Sequence, residues 1–217
     1  MNKKEVLDAL KKLKKDSKER KFKQSVDLII NFRDLDLKKP DHQVEFFANL
    51  HHDRGKKIKI CAFSAQELAD EAKKHCDTVI MQGDFEAYKK EPKKAKKLAN
   101  DHDFFIAQAN IMPQVAATFG RVLGIRGKMP NPKAGMIVPP KTTLAPVVKR
   151  LQNTMKISAK KVPIVQVRIG NEEQTDDILA DNVMTIYDQI IHHLPRERHN
   201  IKNAYLKLTM GKPEKLM

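Results

Sequence analysis

Lys21-Phe22-Lys23 sets an aromatic ring between two ammonium groups. These residue types at this spacing suit phosphate contact by the cations and stacking, or packing on a ribose, by the ring. Phe22 at the start of a strand would equally serve as a core residue, so the motif alone leaves both readings open. A second cluster, Thr209 to Pro213, reads TMGKP. It combines a hydroxyl, an adaptable apolar side chain and, at Gly211, a residue without Cβ that lets another backbone approach closely. On composition alone it is a plain strand end with a turn glycine.

Other candidate chemistry fails on spacing. Gly120 to Gly135, GRVLGIRGKMPNPKAG, holds four of the eight glycines and a Gly-Lys pair at 127–128. A phosphate loop would need a glycine where Val122 stands and a hydroxyl where Met129 stands. The dinucleotide fingerprint also lacks its first glycine at 122. The stretch reads as a surface loop with positive φ at several positions, or one facing a polyanion. His51-His52 and His192-His193 are adjacent pairs that point apart, and all eight histidines read as solvated, so no metal site is expected. Asp176-Asp177 suits a helix start, where negative charge favours the macrodipole. Cys61 and Cys76 form no disulfide framework, and two cysteines in such a chain fit a reducing compartment.

Composition separates the remaining classes. Lys and Arg outnumber Asp and Glu by 42 to 27 in 217 residues, a net charge of +15. Such an excess opposes self-association and calls for a polyanion. Apolar residues at 41 % allow a core and argue against disorder. Phe104 to Gly120, the longest uncharged stretch, is too short and too polar to span a bilayer of ~20 apolar residues. The amino end lacks an apolar signal core, so secretion is not expected.

Residues 2–19 have the period of an amphipathic helix, with Val6, Leu7, Leu10 and Leu13 on one face. Basic residues 18–23 lead into a strand, where Val26, Leu28 and Ile30 alternate with Asp27, Ile29 and Asn31. Val44–Leu50 reads as a second strand. From Ile58 the pattern changes: IKICAF, TVIM and FFIAQA read as strands between helical segments, the last of these being MPQVAATFGRVLG at 112–124 before a loop at 124–140, the signature of a small parallel sheet covered by helices. Helix LAPVVKRLQNT, alternating KISAKKVPIVQVRIG, a long helix capped by Thr175 or Asp176, and strand NAYLKLTMG follow. Neither end segment has enough strands for a stable sheet alone. Pairing them gives an α/β protein of two domains, an α+β domain from 1–53 and 154–217 and an inserted Rossmann-like α/β domain at 54–153.

GRVLGIRGKMPNPKAG, KFKQSVDLIINFRDLDLKKPD, GNEEQTDDILADNV and the terminal TMGKP together resemble the large-subunit ribosomal proteins of the L-one family, in chain order and over nearly the whole length. HDFFIAQANIMP and YLKLTMG are similar to the archaeal branch. Ile125 departs from the Pro usual in that family, and LHHDRGK at 50–56 departs from its Leu-Pro-His-Gly-type hinge. The resemblance implies a two-domain fold with one domain built from both chain ends. It implies an rRNA-binding component of the mobile stalk beside the ribosomal exit site, assisting release of deacylated tRNA. It also implies repression of translation from the protein's own mRNA. Contact residues would be Phe22, flanked by Lys21 and Lys23, then Ser25 and Asp27, and Thr209, Met210 and Gly211. The expected protein is not an enzyme, uses no cofactor or metal, contacts no membrane, is monomeric off the ribosome and is cytoplasmic. Its rivals are a sequence-unspecific nucleic-acid-binding protein and a small nucleotide-binding α/β enzyme.

Overall fold

Alternation of apolar and polar residues makes Ser25–Phe32 a strand with one covered face: Val26, Leu28, Ile30 and Phe32 are buried, and the residues between them are half-exposed. The computed structural model describes Met1–Lys18 and Arg20–Leu216. Glu19, read from sequence as the end of the first helix and part of the basic segment, lies outside the described residues, as does Met217, the last residue of the expected two-end domain. In chain order the elements are α1 (Lys3–Asp16), β1 (Ser25–Phe32) and β2 (Val44–Asn49), followed by β3 (Ile60–Ser64), α2 (Ala69–His75), β4 (Thr78–Met81), α3 (Phe85–Lys90), α4 (Pro92–Asp101), β5 (Phe104–Gln108), α5 (Met112–Ile125), β6 (Ile137–Val138) and α6 (Ala145–Gln152). The chain then returns through β7 (Thr154–Ala159), β8 (Ile164–Asn171), α7 (Asp176–His193), β9 (Ile201–Leu208) and β10 (Glu214–Lys215). Two units result, Met1–Lys56 with Asn153–Met217, and Lys57–Gln152. They divide at 56/57 and 152/153, against expected crossings at 53/54 and 153/154.

The two-end unit is an antiparallel sheet in the order β10-β9-β1-β8, beside a β2-β7 ribbon. It carries the α+β character read from the sequence. The α1 helix opens with the Asn2 backbone N–H donating to Glu5 Oε2 at 2.9 Å, which holds its first turn. Its Val6, Leu10 and Leu13 and the α7 residues Leu179, Val183, Ile186 and Ile190 are buried in one core with Val26, Leu28, Ile30, Val167 and Leu206. Each such side chain contributes about 1.5–3 kcal/mol relative to exposure. A β-bulge between Val26 and Asp27 shifts the β1–β8 register at the end nearest the basic segment.

The inserted unit is a parallel sheet in the order β4-β3-β5-β6. Strands β3 and β5 are buried along their whole length, so both faces are covered, as an α/β sheet requires. Phe63 centres an aromatic cluster, 4.7 Å from Phe119 and 5.9 Å from Phe85 between ring centroids, which packs α3 and α5 onto the sheet.

Four local expectations are refined or corrected. The basic helical segment is two helices, because Pro92 cannot continue α3 and instead starts α4. KISAKKVPIVQVRIG is two strands in different sheets. The glycine-rich stretch divides: α5 runs through Gly120 and Gly124, as the helix expected at 112–124 requires, but the expected loop at 124–140 is interrupted by Ile137–Val138, which pairs in parallel with β5. Positive φ within this stretch occurs at Gly127 and Gly135. At Gly135 a Cβ would also overlap the Arg150 guanidinium that donates to Ala134 O, so that side chain would have to move. Finally, His102 is buried, with Nδ1 on Leu98 O at 3.0 Å and Nε2 on Thr78 Oγ1 at 2.8 Å.

Candidate nucleic-acid interface

Because β1 and β9 are neighbours, Ser25 at the start of one strand meets Thr209 just past the end of the other. Thr209 N–H donates to Ser25 O at 3.1 Å, and Ser25 N–H donates to Thr209 Oγ1 at 2.9 Å. The two hydroxyl oxygens are also 2.9 Å apart. Thr209, Met210 and Gly211 do not extend β9; they form the turn after it, and β10 then runs back along β9. Gly211 N–H donates to Leu208 O at 3.1 Å, and Met210 N–H donates to Gln24 Oε1 at 3.2 Å. The Lys207 ammonium donates to Leu208 O at 3.1 Å and Thr209 O at 2.9 Å, so these two carbonyls are held as well.

Gln24 is one residue that sequence reading missed. Its side chain is 1 % exposed. Its amide nitrogen donates to Ser17 Oγ at 2.9 Å and Glu172 Oε2 at 3.1 Å, and its backbone N–H to Glu172 Oε1 at 2.9 Å. A buried amide satisfied on both ends fixes the neighbouring turn and strand. The signal for it lies in three segments far apart in sequence, so no local pattern announces it.

Phe22 lies before β1 rather than on it, and is 49 % exposed. It is therefore not a core residue. Met210 is 61 % exposed. Phe22, Lys21 and Lys23 line a concavity of about 510 Å³ with Lys18, Arg20 and Glu172. Met210 and Gly211 line an adjoining one of about 420 Å³ with Gln24 and Lys212, and Lys18 and Arg20 border both. Lys23 pairs with Glu173 at 2.8 Å, both groups exposed.

Asp27 sits one bulge further along β1, opposite Arg168 on β8 and Lys207 on β9. Burial raises its pKa above the usual carboxylate value, opposed by Arg168, the Ser25 hydroxyl and Lys207. Ser25 Oγ reaches Asp27 Oδ2 at 3.4 Å. The structure thus joins Ser25, Asp27 and the 209–211 turn directly. It ties Met210 to β1 through Gln24, and leaves Lys21 and Phe22 joined to the turn only through the shared basic rim. Arg168 and Lys207 were not singled out from sequence, because their place beside Asp27 depends on strand register.

The turn at Gly211 is closely packed. A Cβ there would stand 3.2 Å from Leu208 Cβ, tight within the turn itself. The Gly-Lys pair at 127–128 does not cradle a phosphate: Lys128 Nζ donates to Ala99 O at 2.8 Å and His102 O at 2.6 Å, closing the end of α4. Burial pushes the Cys61 thiol up and raises Cys76 to about 11, so both are protonated at neutral pH. Among the described residues no group of His, Cys, Asp and Glu could hold a metal, and no helix is long and apolar enough to cross a membrane.

The sequence profile of the Ribosomal protein L1p/L10e family matches residues 10–212. The chain belongs to this family. It is similar to the large ribosomal subunit protein uL1 of Methanobrevibacter smithii, 43 % identical over 95 % of this chain and 96 % of that one. The protein of the same name from Methanothermococcus thermolithotrophicus is 41 % identical over 100 % of this chain and 99 % of its own. That of Pyrococcus horikoshii is 37 % identical over 95 % and 92 %. Both the expected family and its archaeal character are borne out, and so is the α/β fold. The family is one of ribosomal proteins, structural rather than enzymatic in kind.

Proposed function

We propose that the chain is a component of the large ribosomal subunit that binds large-subunit rRNA through its two-end unit. Phe22 and Met210 would pack on bases or riboses, and the Ser25 and Thr209 hydroxyls would meet 2′-hydroxyls. Lys18, Arg20, Lys21 and Lys212 would supply attraction that falls with salt. The observation that carries this reading is that exposed Phe22 and exposed Met210 border concavities sharing Lys18 and Arg20, while the Ser25–Thr209 hydrogen bonds order the turn that presents Met210. A rigid junction loses little entropy on binding, which favours recognition of one RNA shape over general attraction.

In this role the protein forms part of the mobile stalk, assists release of deacylated tRNA from the exit site and works on the cytoplasmic ribosome. An RNA of similar shape in its own mRNA would compete for the same surface and repress translation. The protein would be a monomer off the ribosome, with no catalytic step. The test is affinity for a folded large-subunit rRNA fragment against a random-sequence RNA duplex at one stated salt concentration. Preference for the fragment by about 10³ or more is expected of specific recognition; equal affinities would favour the sequence-unspecific binder.

A further inference from the structure

The inserted unit is the more basic of the two for its size. Lys57–Gln152 holds 17 Lys and Arg against nine Asp and Glu, a net +8 out of the chain's +15, on fewer than half its residues. The rRNA reading above makes no use of this charge. Six of the cations, Lys89, Lys90, Lys93, Lys94, Lys96 and Lys97, are exposed on α3 and α4. Ala95, Leu98 and Ala99 are buried, which settles the side of α4 that faces outward. Lys93, Lys96 and Lys97 lie opposite them, at i, i+3 and i+4, within roughly 6 Å along the helix axis.

This is more than a solvated charged face with its own counter-charges. Lys94 pairs with Glu91 at 3.0 Å, whereas among the described residues the other five meet no carboxylate. Like charges at i, i+3 and i, i+4 weaken a helix, so α4 keeps this arrangement against its own stability. At one end the Arg126 guanidinium donates to Asn100 Oδ1 at 3.1 Å and adds a further cation beside the lysines. Tyr88, the aromatic of α3, is half-buried against Phe119 and is not presented for stacking. A convex row of ammonium groups without an exposed ring reads charge spacing rather than bases.

We propose that α3 and α4 form a second RNA-contact face, one that takes the phosphate backbone of an RNA duplex irrespective of sequence. It differs in residues and in chemistry from the Phe22 and Thr209–Gly211 surface, and it stands whether or not that surface recognises a folded rRNA site.

The test uses the full chain and a fully paired RNA duplex of arbitrary sequence, titrated at several salt concentrations. The variant is Lys93→Gln with Lys96→Gln and Lys97→Gln; glutamine keeps helix propensity. A control removes the same charge from exposed lysines of the other unit, Lys38→Gln with Lys39→Gln and Lys202→Gln. The slope of log affinity against log salt is expected to fall by about 2 in the α4 variant and by less than about 1 in the control. Should the α4 variant fail to fold, as read by circular dichroism, Lys89→Gln with Lys90→Gln on α3 is expected to lower the slope by about 1 or more. An unchanged slope in the folded variants, or an equal fall in the control, would overturn the proposal. So would loss of polyglutamate binding with the duplex slope retained, which would assign the face to an acidic protein.

Discussion

Ser25 and Thr209 are 184 residues apart in sequence, yet their hydroxyl oxygens lie 2.9 Å apart, and two further hydrogen bonds join them, Thr209 N–H to Ser25 O and Ser25 N–H to Thr209 Oγ1. The two ends of the chain are thereby held together at the edge of the exposed Met210 turn. Thr209→Val keeps the shape of the side chain and removes the acceptor of the Ser25 N–H. Thermal melts should show a loss of about 1 kcal/mol. Affinity for the folded rRNA fragment should fall further than stability does, with the salt slope unchanged, since no charge is removed. A melt equal to wild type would mean that the junction does not order the turn.

Asp27 gives a pH dependence with a definite sign. Its folded-state pKa is raised, chiefly by burial. The stability linked to its protonated form is therefore fully present below the unfolded value of about 3.9 and is lost as pH rises through the folded value. Asp27→Asn should raise stability at pH 7 by less than about 1 kcal/mol, because water screens the half-exposed carboxylate. The advantage should vanish at pH 3. Denaturant titrations of both proteins at the two pH values decide it, and a variant less stable than wild type at pH 7 would show that Arg168 and Lys207 outweigh burial.

Lys128 tests the reassignment of the glycine-rich stretch. Its ammonium holds two carbonyls at the end of α4. Lys128→Gln should lower the stability of the inserted unit by about 1.5–3 kcal/mol, the range for hydrogen bonds to a charged group. Affinity for the folded rRNA fragment should change little. A large affinity loss with an unaltered melt would return Lys128 to the RNA-facing role.

What the sequence disclosed and what it concealed differ in range. The alternation of Val26, Leu28 and Ile30, and the period of Val6, Leu10 and Leu13, are local and were legible. So was the change to alternating strands and helices at Ile58. The two-residue strand at Ile137 was not, because its pairing with Ala107 and Gln108 has no local signature. Gly120 and Gly124 did not hide the helix at 112–124, since a helix tolerates glycine on an open face and a Cβ at either would meet nothing within 4 Å. His102 misled because its satisfaction depends on Thr78, a strand away. Phe22, Thr209 and Met210 could be named from residue type and resemblance, whereas Gln24, Arg168 and Lys207 required the register of three strands.

Excision of the inserted unit is geometrically mild. Asn49 is the register partner of Thr154, and Leu50 N–H donates to Asn153 O at 2.9 Å, so the chain leaves and re-enters the two-end unit at neighbouring points. Joining Lys56 to Asn153 through a short flexible linker should give a folded protein that retains preference for the rRNA fragment. Retained fold with the preference gone would place recognition outside the two-end unit.

The most direct measurement is binding of the folded rRNA fragment by Phe22→Ala with Met210→Ala, across several salt concentrations, with melts alongside. Both side chains are exposed and neither is charged, so stability should stay within about 0.5 kcal/mol and the salt slope should be that of wild type. Loss of two stacking or packing contacts should lower affinity for the fragment by about 2 kcal/mol or more, some thirtyfold, and leave affinity for a random duplex unchanged. Wild-type affinity of this variant for the fragment would contradict recognition by this surface.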